Sequence, residues 1–230
     1  VVDERVAVAV PEEMPWSVAG AIPEVYMTAF DAVFLQAGLR AGGTLLIHAV
    51  GSGVGTAAVQ LGRRAGAYTI GTSRTASKVK RAAELGLDVG LDGGGAWERV
   101  VMKETDGFGA DVILDLVGAP YLARNQAAIA SGGRHVVVGV PGGTRAEIDL
   151  RRLMARRARL LGTVLRARGV EEKAALANEF GAAVLPGFVD GSLAPVIDSV
   201  LPAERAAEAH RRMEANESFG KIVMVWGARR

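Results

Sequence analysis

The chain has 230 residues, half of them apolar, with 30 glycines, few aromatics and no cysteine. That is enough for one large or two small domains with a real core, and it excludes a disulfide framework and thiolate metal sites. A net charge of only +2 argues against nucleic acid as the main partner, and with no signal peptide and no apolar run of about 18 residues evident, a cytoplasmic protein without a membrane partner is expected.

Residues 5–10 alternate weakly in polarity and read as a strand that runs into Pro11, Pro15 and Pro23. The first residue is Val1, not Met, and it stands before that strand, so an N-terminal part is expected upstream. From residue 45 the chain alternates short apolar runs with helical patterns. Strands are predicted at 45–50, 67–72, 89–91, 112–117, 136–140 and 160–165. Helices are predicted at 55–65, 76–85 and 97–104, and a fourth from Pro120 to residue 130, closed by Gly132 and Gly133. Six strands joined by helical crossovers read as an α/β fold with a doubly wound parallel sheet. The last part reads strand (196–200), helix (203–216), strand (222–226) and does not extend the series. The two flanks read as the ends of a second domain into which the sheet domain is inserted.

The passage from the first strand into its helix carries the strongest motif. Gly53-Val54-Gly55-Thr56-Ala57-Ala58 fits G-x-G-x-x-A, between an apolar strand and a small-residue helix. In that motif the first glycine makes the turn, the second lets a pyrophosphate approach backbone N–H groups, and the alanine lets helix and strand pack closely. A plain strand–helix turn is the alternative reading. The end of the second strand selects the nucleotide. An NAD site wants a carboxylate there to hold the ribose 2′-hydroxyl, but no acidic residue occurs between Asp31 and Glu84. Ser73, Arg74 and Lys78 offer a phosphate pocket instead, so NADPH is favoured over NADH.

The other signals are weaker. The loops at 117–119 and 139–143 are glycine-rich and follow strand ends, where ligands of open α/β sheets bind. His48 and His135 lie on or beside apolar strands and read as satisfied core histidines. No metal-ligand spacing, no Tyr-x-x-x-Lys pair and no G-x-S-x-G elbow is present. The arginines at 151, 152, 156, 157 and 159 read as a solvated face, several of them on one side of a helix.

Taken together, AIPEVYMTAF at 21–30, LIHA at 46–49, SGVGTAA at 52–58, ILD at 113–115, GGR at 132–134, LRAR at 165–168, MEAN at 213–216 and GKIV at 220–223 resemble the quinone oxidoreductase branch of the zinc-free medium-chain dehydrogenase/reductases. The resemblance covers essentially the whole chain. It implies a six-stranded Rossmann domain at 24–165, set within remnants of a GroES-like catalytic domain at 1–23 and 166–230. It also implies an NADPH-dependent oxidoreductase that passes hydride to a quinone or similar electron-poor alkene, without zinc, and forms a homodimer through the edge strand at 160–165. An enoyl or alkenal reductase of the same fold, or an NADPH-binding structural protein without turnover, are the alternatives. By the same resemblance Ser52, Gly53, Val54 and Gly55 meet the cofactor diphosphate, and Ser73, Arg74 and Lys78 its adenosine phosphate. Val137, Val138, Gly139 and Val140, then Val164, Leu165 and Arg166, line the remainder, with Thr28 beside the nicotinamide. Gly93, Ala119 and Arg74 depart from the residues usual in relatives. The resemblance places an active-site tyrosine upstream, so no catalytic residue is assigned in this chain.

Overall fold

The computed structural model describes residues 2–227. Its elements are α1 (Trp16–Ala19), α2 (Pro23–Phe30), a π-helical turn (Asp31–Gln36), β1 (Thr44–Ile47), α3 (Gly53–Arg64), β2 (Tyr68–Ser73), α4 (Ala76–Glu84), β3 (Val89–Asp92), α5 (Trp97–Glu104) and β4 (Ala110–Asp115). There follow α6 (Leu122–Ala128), β5 (Ile129–Val137), α7 (Leu150–Arg156), β6 (Arg159–Gly162), α8 (Val170–Ala183), α9 (Pro186–Val189), β7 (Ile197–Pro202), α10 (Ala206–Glu214) and β8 (Lys221–Val225). Six parallel strands form one sheet in the order β3-β2-β1-β4-β5-β6, and β7 and β8 form a separate parallel pair. This is the doubly wound α/β fold expected from the sequence. Its crevice falls where the strand order reverses, between β1 and β4.

The apolar strands are buried on both sides because successive side chains serve opposite faces. Leu45 and Ile47 of β1, with Val112 and Leu114 of β4, pack into the cluster that holds Val25, Ala57, Ala58 and Phe180. Leu46, Ile70 and Ile113 point the other way, to Trp97, Val101 and Ile129.

Four expectations need correction. Residues 5–10 are not a strand. Glu4–Val6 is a 3-10 turn in which the Asp3 carboxylate accepts from Arg5 N–H, and no ladder follows before Pro11. Gly132 and Gly133 do not end a helix. α6 stops at Ala128, and both glycines lie inside β5, where the register against β4 shifts between Ala110 and Val112. The edge strand ends at Gly162, leaving Val164 and Leu165 beyond it. Finally, the helical stretch Trp16–Gln36, with a mean hydropathy of 1.4, is long and apolar enough by length and composition to cross a membrane. Pro23, Glu24 and Asp31 interrupt the run and hid it from the sequence reading. Of its apolar window, 61% is buried in the protein, much of it in the main core.

A buried polar chain ties the carboxyl ends of the central strands together. His48 and His135 are both buried, as expected, and both are hydrogen-bonded. Asp115 Oδ2 accepts from Asn125 Nδ2 at 3.0 Å, which leaves Asn125 Oδ1 facing His48 Nε2 at 2.7 Å. That oxygen can only accept, so His48 Nε2 carries the proton and Nδ1 accepts from Thr72 Oγ1 at 2.9 Å. Burial pushes His48 down to about 4, opposed by the Asp115 charge and the Asn125 bond and aided by His135 and Arg124.

Between the ordinary histidine value of about 6.5 and the folded value, the unfolded chain binds a proton that the folded chain refuses. Stability therefore falls as pH drops from about 6.5 towards 4, by on the order of 3 kcal/mol across the window. Urea unfolding of wild type and His48→Gln at several pH values checks this. The variant is expected to have the flatter profile, and identical slopes in that window would contradict the assignment.

Candidate functional site

β1 turns into α3 within five residues. Ala49 takes a left-handed conformation (φ 49°), Val50 N–H bonds to Thr72 O at 2.9 Å, and Ser52 caps the helix by accepting from Gly55 N–H at 3.0 Å. A Cβ on Gly55 would lie 2.6 Å from Ala49 O and 2.8 Å from Val50 Cα. Those are backbone atoms of the turn itself. Glycine is thus required at 55 by the strand-to-helix turn itself, in addition to the close approach that the motif expects there. At Gly53 a Cβ would instead meet the side chains of Lys221 and Val25. The N–H groups of Gly53 and Val54 have no intrahelical partner and find no acceptor among the described residues.

On one side of this turn lie the ends of β2 and β3. Ser73 ends β2 and its Oγ accepts from Thr75 N–H at 3.2 Å. Arg74 follows, exposed and without an ion-pair partner among the described residues. Lys78, read from sequence as a phosphate cation, is buried. Its Nζ donates to Asn216 O at 2.7 Å and to Asn216 Oδ1 at 2.8 Å. Burial lowers its pKa, with Arg74 and Arg81 adding to the effect and Asp198 opposing it. Sequence reasoning also missed Asp92, which pairs with Ser73 across the β2–β3 ladder. Only the ladder register could have brought that carboxylate into view. Tyr121 crosses from beyond β4 and donates to Gly93 O at 2.9 Å, filling the space a side chain at 93 would need.

On the other side lie the loops after β4, β5 and β6. Asp115 Oδ1 accepts from Val117 N–H at 2.8 Å and Gly118 N–H at 2.9 Å. Burial works to raise the Asp115 pKa, but the bonds from His135 and from these N–H groups outweigh it and leave it lowered. Gly118 (φ 92°) packs on Gly143 O and Val140, so the two glycine-rich loops rest on each other. Val137 ends β5, and Val138 N–H bonds to Asp115 O at 2.9 Å. Gly139 is half-buried and Val140 exposed. The loop bearing Val164, Leu165 and Arg166 is anchored at both ends on Asp31. Thr163 Oγ1 donates to Asp31 Oδ2 at 2.8 Å, and Arg168 makes a two-pronged pair with Asp31 at 3.0 and 2.6 Å. Asp31 opens the π-helical turn after α2 and is buried. Thr28, one turn earlier, is half-buried and donates to Glu24 O at 2.5 Å. Among the described residues no group of three or more His, Asp or Glu is placed to hold a metal ion.

These parts fit a dinucleotide. Two N–H groups at a helix start and an arginine at the β2 end, all without a partner among the described residues, suit the phosphates of a dinucleotide, and two backbone-lined loops lie beyond β4 and β5.

Comparison with known proteins agrees. The family model described as zinc-binding dehydrogenase matches residues 53–180. Human quinone oxidoreductase is 30% identical over 217 residues, which cover 94% of this chain and 64% of that protein. The chain thus spans just under two thirds of the length of the quinone oxidoreductases it matches. Among solved structures, an NAD-dependent alcohol dehydrogenase is 33% identical with a TM-score of 0.84, covering 95% of this chain and 61% of that one. A mycobacterial protein complexed with NADPH is 26% identical with a TM-score of 0.84, covering 94% and 66%. The crevice, the strand order and these likenesses converge: the chain belongs to the zinc-binding dehydrogenase family of medium-chain dehydrogenase/reductases.

Proposed function

We propose that this chain is the NADPH-binding part of a zinc-independent oxidoreductase that delivers hydride to a quinone or a similar electron-poor alkene. The observation that carries the reading is the pair of unpartnered N–H groups at Gly53 and Val54, at the crevice between β1 and β4. The bound nicotinamide would supply the hydride. The residues of this chain bind and orient. Gly53 and Val54 hold the diphosphate, and Ser73 and Arg74 hold the adenosine phosphate. The backbone of 137–140 and 164–166 fixes the nicotinamide against Thr28. Lys78 serves this site by holding Asn216. The domain division at 23 and 165, with a GroES-like catalytic part formed by the flanks, belongs to the same reading, and α1 does touch β8.

NADH is the second reading, and Asp92 favours it, because it stands beside Ser73 where a ribose hydroxyl would lie. Asp92 is exposed and already accepts from Gly94 N–H at 2.9 Å, so Arg74 is expected to prevail. A charged hydrogen bond at an exposed site corresponds to about a tenfold preference. Fluorescence titration should therefore give NADPH about tenfold tighter binding than NADH, and Arg74→Ala should remove the difference. Equal affinities, or an NADH preference that Asp92→Asn abolishes, would overturn the choice. Faster turnover of enones than of quinones by a preparation containing the relatives' additional length would move the substrate to an enoyl or alkenal reductase. Binding with no turnover of either acceptor would favour the structural role.

The same reading includes a homodimer. β6 is the sheet edge, and Ile148, Leu150, Met154 and Leu160 expose apolar surface beside it. Pairing β6 with its symmetry mate would satisfy its outer N–H and C=O groups. Light scattering should find a dimer at micromolar concentration that Leu160→Lys dissociates. A wild-type monomer would refute it, as would a folded Leu160→Lys dimer.

A further inference from the structure

The segment 216–221 lies far from the glycine-rich turn in sequence but is fastened across it. Gly220 N–H donates to Gly51 O at 3.0 Å, and Gly220 forms an isolated parallel bridge with Ser52. Gly220 has a φ of 88°, and a Cβ there would lie 2.3 Å from Val196 O. Phe219 is buried beneath the Arg81 guanidinium, 4.1 Å from its ring centre. Asn216, itself left-handed, is gripped twice by Lys78. Lys78 is in turn wedged against Gly51, where any Cβ would lie within 2.8 Å of its stem.

Lys221 is the next residue. Its stem occupies the space beside Gly53, so close that a Cβ there would lie 2.7 Å from Lys221 Cδ. Its side chain is about one-third exposed, and its ammonium reaches the Glu24 carboxylate at 3.2 Å, on a side chain that is 72% exposed. An exposed pair of this kind holds by little. The first turn of α3 contains no basic residue, although a diphosphate brings negative charge to its N–H groups. Lys221 is a cation held at that spot from outside the motif.

We propose that Lys221 is the diphosphate-binding cation of this site, held over Gly53 by the strap 216–220, with Glu24 as the carboxylate that the diphosphate displaces. The proposal rests on the reading of the crevice as a nicotinamide-dinucleotide site. It assigns the strap a purpose: Lys78, Asn216, Phe219 and Gly220 position one ammonium group rather than contact the nucleotide.

The test is equilibrium binding of NADPH, NADH and adenosine 2′-phosphate, followed by calorimetry, to wild type, Lys221→Met, Lys221→Arg and Glu24→Gln. Circular dichroism and melting establish that each variant is folded. Both dinucleotides carry the diphosphate, so Lys221→Met should weaken both about tenfold and leave their ratio unchanged. Adenosine 2′-phosphate lacks the diphosphate and should bind unaltered. Lys221→Arg should retain affinity. Glu24→Gln, at an exposed position, should tighten both dinucleotides several-fold. Wild-type affinity in a folded Lys221→Met protein would overturn the proposal. So would a loss confined to NADPH, or a Glu24→Gln protein that binds as wild type does. If wild type binds neither dinucleotide, the dinucleotide reading itself fails and the role of Lys221 goes with it. That outcome is read from wild type alone.

Discussion

Everything in the crevice depends on how sharply β1 gives way to α3. The chain leaves a buried strand end at Ile47 and begins a helix at Gly53. In that space it reverses through one left-handed residue, Ala49. The helix start is pressed so tightly against the strand end that Gly55 has no room for a Cβ beside the Ala49 and Val50 backbone. Close packing then continues along α3 through Ala57, Ala58 and Val59, all fully buried. This contact sets the start of α3 against the end of β1, beside the point where the strand order reverses. The anion site we propose is a by-product of packing: the glycine serves the fold, and the fold presents the N–H groups.

The loops around the turn are set by buried charges. Asp115 receives two backbone N–H bonds, one side-chain amide and one imidazole. Asp31 receives Thr163, Gln36 and both arms of Arg168. Burying a carboxylate is costly, and removing one partner of such a group typically costs about 3–5 kcal/mol. These two aspartates therefore do more to specify loop shape than to add net stability. Asp115 fixes 117–118 and Asp31 fixes 163–168, and both loops border the place expected for the nicotinamide. The π-helical turn at Asp31–Gln36 fits this reading, since such turns are uncommon and recur at functional sites.

How far the sequence could be read follows from the same physics. The central strands were legible because sheet residues such as Leu45, Ile113 and Val136 are buried on both faces and form unbroken apolar runs. The Trp97–Glu104 helix was legible to the residue, because its apolar positions recur at helical spacing. The β5 start was not, since Gly132 and Gly133 signal a helix end locally and only pairing with β4 makes them strand. Residues 5–10 mimicked a strand but have no neighbour to pair with. Around the site, Arg74 stands exposed at the end of β2, where the sequence placed a phosphate-binding cation, whereas Lys78 is buried on Asn216. Its partner, Asn216, lies 138 residues away, and nothing local marks it. Asp92, Asp31 and Lys221 were missed for the same reason: each enters the crevice through a long-range contact that no spacing rule records.

The central claim is that the diphosphate of a nicotinamide dinucleotide sits on the start of α3, with its two halves spread over the β2–β3 and β4–β6 strand ends. Hydrogen–deuterium exchange of the chain with and without saturating NADPH tests this most directly. The account predicts slowed exchange at the amides of Gly53 and Val54, at Arg74, and along 117–118 and 137–140, with little change at α7 and the β6 edge. Protection absent from Gly53 and Val54, or concentrated instead around α7, would contradict it.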